Sequence, residues 1–169
     1  LNGRFISDCI QAFGFYTPCP GCHLYLHAVR IPLARKLGNV PIIAGERTSH
    51  SGMIKINQVA GALDFYTEFL MSFGIRLDLP LAAISDGAEI EHILQMPWER
   101  GKDQLSCVLS GNYNTCTGQT AVDTQPVMRY FYEFAGPVTR NVLNAWLARK
   151  TPDCQQSAKQ VMSRCLIRT

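Results

Sequence analysis

Apolar positions along this chain recur mostly at helical spacing, with two short runs that fit strands between them. Phe5, Ile6, Cys9, Ile10 and Phe13 fall on one side of a predicted helix over residues 4–13. A polar turn, Thr17-Pro-Cys-Pro-Gly-Cys22, then opens a longer predicted helix, and Gly38-Asn39 supplies its stop. Along it Leu26, Val29, Leu33 and Leu37 fall at i, i+3, i+7 and i+11 and read as the core stripe, while His23, His27 and Arg30 lie on a different face.

Residues 40–44 (Val-Pro-Ile-Ile-Ala) form a continuous apolar run of the kind buried in a parallel sheet, and the polar stretch 45–52 after them is expected at the strand's carboxyl end, where open α/β sheets place ligands. Val59, Leu63, Tyr66, Leu70 and Phe73 predict a helix over 56–73 that Gly74 ends. Residues 75–79 (Ile-Arg-Leu-Asp-Leu) alternate as a half-buried strand. Ser85-Asp-Gly-Ala-Glu89 reads as the start of a helix through Ile90, Ile93 and Leu94, stopped by Pro97. Residues 104–113 hold a short apolar centre around Cys107 and a Gly-Asn turn, read as a second loop feeding the site. From Val127 onward the pattern is helical, with breaks expected at Gly136-Pro137 and Thr151-Pro152. Trp98, Trp146 and the aromatic residues of 130–134 read as core or interface. Helices alternating with short apolar strands predict an α/β fold, three-layer and Rossmann-like with a short parallel sheet, over residues 1–124, and a helical extension of the same domain over 125–169.

Composition narrows the function without naming it. The chain has 169 residues, 47% apolar and 17% charged, which is enough for one domain with its own core. A net charge of +3 with no dense basic run permits an anionic ligand and does not call for nucleic acid. No apolar run reaches the length of a membrane span and no secretory pattern is present, which predicts a cytoplasmic protein with no membrane partner. The chain begins with Leu1 rather than Met and so reads as a piece of a longer one.

The seven cysteines do not space like a small secreted scaffold, and Cys9, Cys154 and Cys165 read as inert thiols. Cys19 and Cys22 at a helix start invite chemistry, because the helix dipole favours the thiolate that metals bind. Four readings stay open: a structural turn, a c-type haem attachment through Cys19, Cys22 and His23, a thioredoxin-like dithiol, and a zinc or iron-sulfur site completed by a distant thiolate. For zinc, His23 is the substitute ligand, and a set of Cys19, Cys22 and His23 or His27 is a further option.

The order of segments resembles the later part of PP-loop ATP pyrophosphatases, in particular the tRNA sulfur transferases. It runs Pro-Cys-x-x-Cys, a helix ending Ala-Arg-Lys-Leu-Gly, a strand Pro-Ile-Ile-Ala-Gly, a polar loop, a long helix, and a later Cys in Leu-Ser-Cys-Val-Leu-Ser-Gly-Asn-Tyr. The resemblance covers roughly residues 15 to 115. It implies that residues 1–124 are a partial PP-loop domain and that Cys19, Cys22 and Cys107, with Cys116 in reserve, are the catalytic or cluster-holding thiols. The activity implied is ATP-dependent adenylation and sulfur transfer with an iron-sulfur cluster, acting on RNA or a small molecule, in a chain free to form a homodimer. The family's Ser-Gly-Gly-x-Asp-Ser loop is not among these residues, so the ATP pyrophosphate loop is expected upstream. Where many members have Gly-His-Asn and acidic residues, this chain has Gly45-Glu-Arg-Thr-Ser-His50.

That polar loop has its own chemistry. With Gly45 at its start, Arg47 and Lys55 suit phosphate oxygens of a nucleotide, and Glu46 or His50 suit orienting or deprotonating a substrate. The alternative class is a non-catalytic metal-binding or assembly domain that kept the fold.

Overall fold

The structure, a computed structural model, describes residues 3–59, 61–97 and 123–167. Helix α1 spans Gly3–Phe13, and Gly14 follows with φ +76°. Helix α2 spans Cys19–Ala28 and α3 spans Ile31–Lys36, so the single long helix expected here is two. Pro32 is the cause: its ring nitrogen cannot donate to the carbonyl four residues back and crowds it, so the chain turns through Val29 and Arg30 and restarts.

The expected core stripe is corrected as well. Leu26, Leu33 and Leu37 are 46%, 59% and 59% exposed, whereas Leu24, Ala28, Ile31 and Ala34 are buried. The buried positions 24, 28, 31 and 34 keep helical spacing across the turn, and the leucine stripe lies on the opposite face.

Strand β1 is Ile42–Ile43 and pairs in parallel with β2, Leu77–Asp78, with Ile42 opposite Leu77. Parallel pairing requires a crossover, and the chain makes it through a 3-10 turn, Ile56–Gln58, and helix α4, Ala62–Met71. Gly61, at φ +85°, separates the two and interrupts the continuous helix expected over 56–73, although Val59, Leu63, Tyr66, Leu70 and Phe73 are all buried as that pattern required. The run at 40–44 differs from a fully buried strand: Ile42 and Ala44 face the core while Ile43 is 65% exposed. Among the described residues the sheet has two strands, and Ile43 points outward from it.

Helix α5, Gly87–Leu94, begins as the sequence indicates, with the Asp86 carboxylate accepting from Ala88 N, but none of its residues is buried. Helix α6, Thr124–Tyr130, runs through a π turn, Phe131–Ala135, directly into α7, Gly136–Leu147. The break expected at Gly136-Pro137 is therefore a widening and not an end. Gly136 N donates to Phe131 O, five residues back. Pro137 has no N–H for the Glu133 carbonyl, and the Cys165 thiol donates to that oxygen instead at 3.4 Å. A Cβ on Gly136 would sit 2.9 Å from both Phe131 O and Phe65 Cζ, so the close approach of α4 to the π turn needs glycine there. The break at Thr151-Pro152 does separate α7 from α8, Cys154–Ile167.

One apolar cluster joins Cys9 and Phe13 of α1, Leu24 and Ala28 of α2, Phe65 and Tyr66 of α4, Phe131 of the π turn and Cys165 of α8. Each fully buried large side chain contributes about 1.5–3 kcal/mol. Among the described residues no helix is long and apolar enough to cross a membrane. Cys107, Cys116, Trp98 and the segment 104–113 lie outside the described residues.

Candidate metal centre

Helix α2 carries the site because it has two faces with different chemistry. Cys22 N donates to Pro18 O and Cys19 N to Thr17 Oγ1, which fixes the first turn. One turn apart, His23 and His27 then project from the same side of the helix. Leu24 and Ala28, next to them in sequence, anchor the helix in the core.

Glu46 reaches this pair from the loop after β1. Its Oε1 lies 2.8 Å from His23 Nδ1 and 3.2 Å from His27 Nε2. Its Oε2 accepts from Gln58 Nε2 at 2.5 Å. Burial pushes the Glu46 carboxyl up, but the hydrogen bonds from His23, His27 and Gln58 outweigh it and hold the group well below the usual carboxylate range. Glu46 is thus a buried anion, 7% exposed, and two imidazoles converge on it.

Two details of the imidazoles matter. His23 Nδ1 also lies 3.2 Å from Asn57 Nδ2, so one ring nitrogen faces a carboxylate oxygen and an amide nitrogen together. A ring nitrogen holds one proton or one lone pair and serves one of the two. His27 is almost wholly buried, its ring 5.2 Å from that of Tyr66, and its Nδ1 has no hydrogen-bond partner among the described residues. Tyr66 is held by its own hydroxyl, which donates to Asn57 O at 2.9 Å.

His23, His27 and Glu46 each offer a donor atom within 4.8 Å of the other two. The side chain of His23 is 34% exposed, against 4% for His27 and 9% for Glu46, so access is from the His23 side, next to the exposed Cys22.

Of the residues singled out from sequence, the structure unites Glu46 with His23 and His27. Cys19 is half-buried and Cys22 exposed, neither is in a disulfide, and neither thiol belongs to that three-atom group. His50 stands one amide further out: Nε2 lies 2.5 Å from Gln58 Oε1 and Nδ1 lies 2.5 Å from Arg47 Nη2. Burial lowers the His50 pKa, with Lys55 and Arg47 adding to that and Gln58 opposing it, so the ring is held toward its neutral form. Arg47 also donates to Ser85 O at 3.1 Å, so its guanidinium faces inward to its own loop system. Gly45 is exposed, and Lys55 is half-buried at the start of the 3-10 turn. Sequence reasoning missed Asn57 and Gln58. Their signal was a pair of amides in a turn that follows a polar loop, and nothing in spacing shows that they face a carboxylate.

No family model matches the chain, and no solved structure matches it. It is 40% identical over 143 residues to an uncharacterized protein of Methanocaldococcus jannaschii, a match that takes in 85% of this chain and 51% of that protein. The chain therefore spans about half the length of the curated relative it matches.

Proposed function

We propose that this chain carries the metal centre of a metal-dependent enzyme, with one divalent transition metal, zinc first, held by His23 Nδ1, His27 Nε2 and Glu46. The observation that carries this reading is the convergence of a helical i, i+4 histidine pair on a buried anionic carboxylate from a different segment. Two nitrogens and one oxygen are a set that zinc takes in catalytic sites, where three protein ligands leave a position open. Ligands about 2.0–2.1 Å from one ion lie about 2.9 Å apart at a right angle and about 3.3 Å apart at the tetrahedral angle. The observed 2.8 and 3.2 Å are close to these separations. An ion would also give the His23 nitrogen, placed between two competing partners, a single role. When bound, such an ion polarises a substrate oxygen or activates water. Glu46 offsets part of its charge, and His23 contributes the accessible edge by which a substrate reaches it.

Metal analysis after purification and exhaustive dialysis tests the reading. About one equivalent of zinc is expected in the wild type, and much less in His27→Ala and Glu46→Gln. An equal metal content in all three would remove this assignment.

A second reading keeps the PP-loop sulfur-transferase likeness, with the three-layer α/β fold, ATP, and a cluster on Cys19, Cys22 and Cys107. It is favoured by the parallel β1–β2 pair with its helical crossover and by the position of the Cys pair at the start of the helix that bears the histidines. On this reading calorimetry with the 169-residue chain gives weak or no ATP binding, and a longer chain that includes a pyrophosphate loop restores it. Tight binding by the 169 residues alone would contradict it.

A further inference from the structure

We infer that Gln58 and His50 are positioning residues that turn the Glu46 carboxylate toward its metal, an inference that rests on the metal-centre reading above. The proton positions along this part of the molecule can be assigned without a free choice. A guanidinium only donates, so His50 Nδ1, 2.5 Å from Arg47 Nη2, is the acceptor and the imidazole proton sits on Nε2. His50 Nε2–H then donates to Gln58 Oε1 at 2.5 Å. With its oxygen so occupied, the Gln58 amide presents its NH2 group to Glu46 Oε2, also at 2.5 Å. The carboxylate is left with Oε1 directed at His23 and His27. Arginine sets the tautomer of the histidine, the histidine sets the face of the amide, and the amide sets the rotation of the carboxylate.

Each member of this chain is fixed by the backbone that bears it. Arg47 is tied to Ser85 O, and His50 exchanges backbone hydrogen bonds with Met53 at 2.8 and 3.1 Å across a turn through Ser51 and Gly52, both with positive φ. Gln58 is 5% exposed in the 3-10 turn, and Gln58 N donates to Lys55 O at 2.8 Å. A buried polar network with every member served holds one arrangement, and partners behind a metal ligand govern affinity by holding that ligand in place. The loop after β1 thus supplies both the carboxylate and most of the layer that aims it.

The test is zinc affinity, measured by competition with a chromophoric chelator, for the wild type, Gln58→Leu, His50→Leu, His50→Gln and Glu46→Gln, with thermal unfolding of each metal-free protein alongside. Gln58→Leu and His50→Leu are expected to weaken zinc binding about 10–100-fold while the proteins stay folded. His50→Gln, which keeps an N–H for Gln58 Oε1, is expected to recover most of that loss, a rescue that general destabilisation would not give. If Gln58→Leu does not fold, Gln58→Asn takes its place, with a loss of binding again expected because the shorter amide cannot span Glu46 and His50. Wild-type affinity in both leucine variants, together with loss in Glu46→Gln, would overturn the positioning role and leave the metal centre standing. No zinc binding by the wild type would overturn the metal centre itself, and the inference with it.

Discussion

Tyr66 stands between two interiors of opposite character. On one side its ring meets Phe131 at 5.4 Å, and beyond lie Phe65 stacked on Phe131 at 4.9 Å and Phe13 edge-on to Tyr130 at 5.5 Å. On the other it meets His27 at 5.2 Å, and beyond lie Glu46, Gln58 and Asn57. Both regions are buried, yet the first is held by area and shape and the second by hydrogen bonds that a single proton can rearrange. Aromatic packing is indifferent to acid and punishes lost volume; the polar interior tolerates little change in chemistry and is where a ligand gains most.

The largest expected effect falls on the aromatic side. Phe131→Ala should cost about 3–5 kcal/mol, read by denaturant unfolding, while zinc affinity of the folded protein stays near wild type. A loss of zinc affinity in the folded variant would show that the two interiors are not separable. Tyr66→Phe should cost less, about 1–3 kcal/mol, because it leaves the buried Asn57 carbonyl without its donor. It also frees Asn57 beside His23, so this variant is expected to lower both stability and metal affinity.

pH separates the regions more gently. Glu46 has a folded pKa below its unfolded value, so its contribution is complete above about 4.3 and is lost as pH falls below that toward the folded value. His50 is also lowered, so its contribution is complete above about 6.5 and is lost as pH falls through the folded value beneath it. Metal-free unfolding curves should therefore show stability declining with acid in two stages, the first absent in His50→Gln and the second absent in Glu46→Gln. Phe131→Ala should shift the whole profile without changing its form.

The smallest effect is one of rate. Burial pushes the Cys9 thiol up to about 12, with Asp8 and Cys165 adding to it, whereas Cys22 and Cys154 are exposed. Alkylation mapped by mass spectrometry should reach Cys22 and Cys154 first and Cys9 last. Zinc should leave the Cys22 rate unchanged, and protection of Cys22 by zinc would draw that thiol into the centre.

The sequence made the helices, the parallel pairing and the loop at the end of β1 readable because each has a local signal: periodicity, an apolar run, glycine and proline at the joints. The buried face of α2 and α3 is hard to read from sequence because Leu24, Ala28, Ile31 and Ala34, themselves at helical spacing, include two alanines and so signal a core less strongly than Leu26, Val29, Leu33 and Leu37 on the other face. Gly136-Pro137 carries the local signature of a stop, and the group that meets the freed Glu133 carbonyl, Cys165, lies 32 residues away, where no local pattern shows it. At the site, His23, His27 and Glu46 each stood out as residues, but their meeting depends on β1 delivering its loop beside α2, a tertiary fact that carries no spacing rule. Gln58 was invisible for the same reason, since an amide declares itself only by what it touches.

Zinc K-edge X-ray absorption on the loaded protein tests the metal centre most directly, because it counts the ligand atoms by element. A first shell of nitrogen and oxygen alone, at about 2.0–2.1 Å, is the predicted result, with the imidazole signal halved in His23→Ala. A sulfur shell at about 2.3 Å would contradict it and move the metal to Cys19 and Cys22.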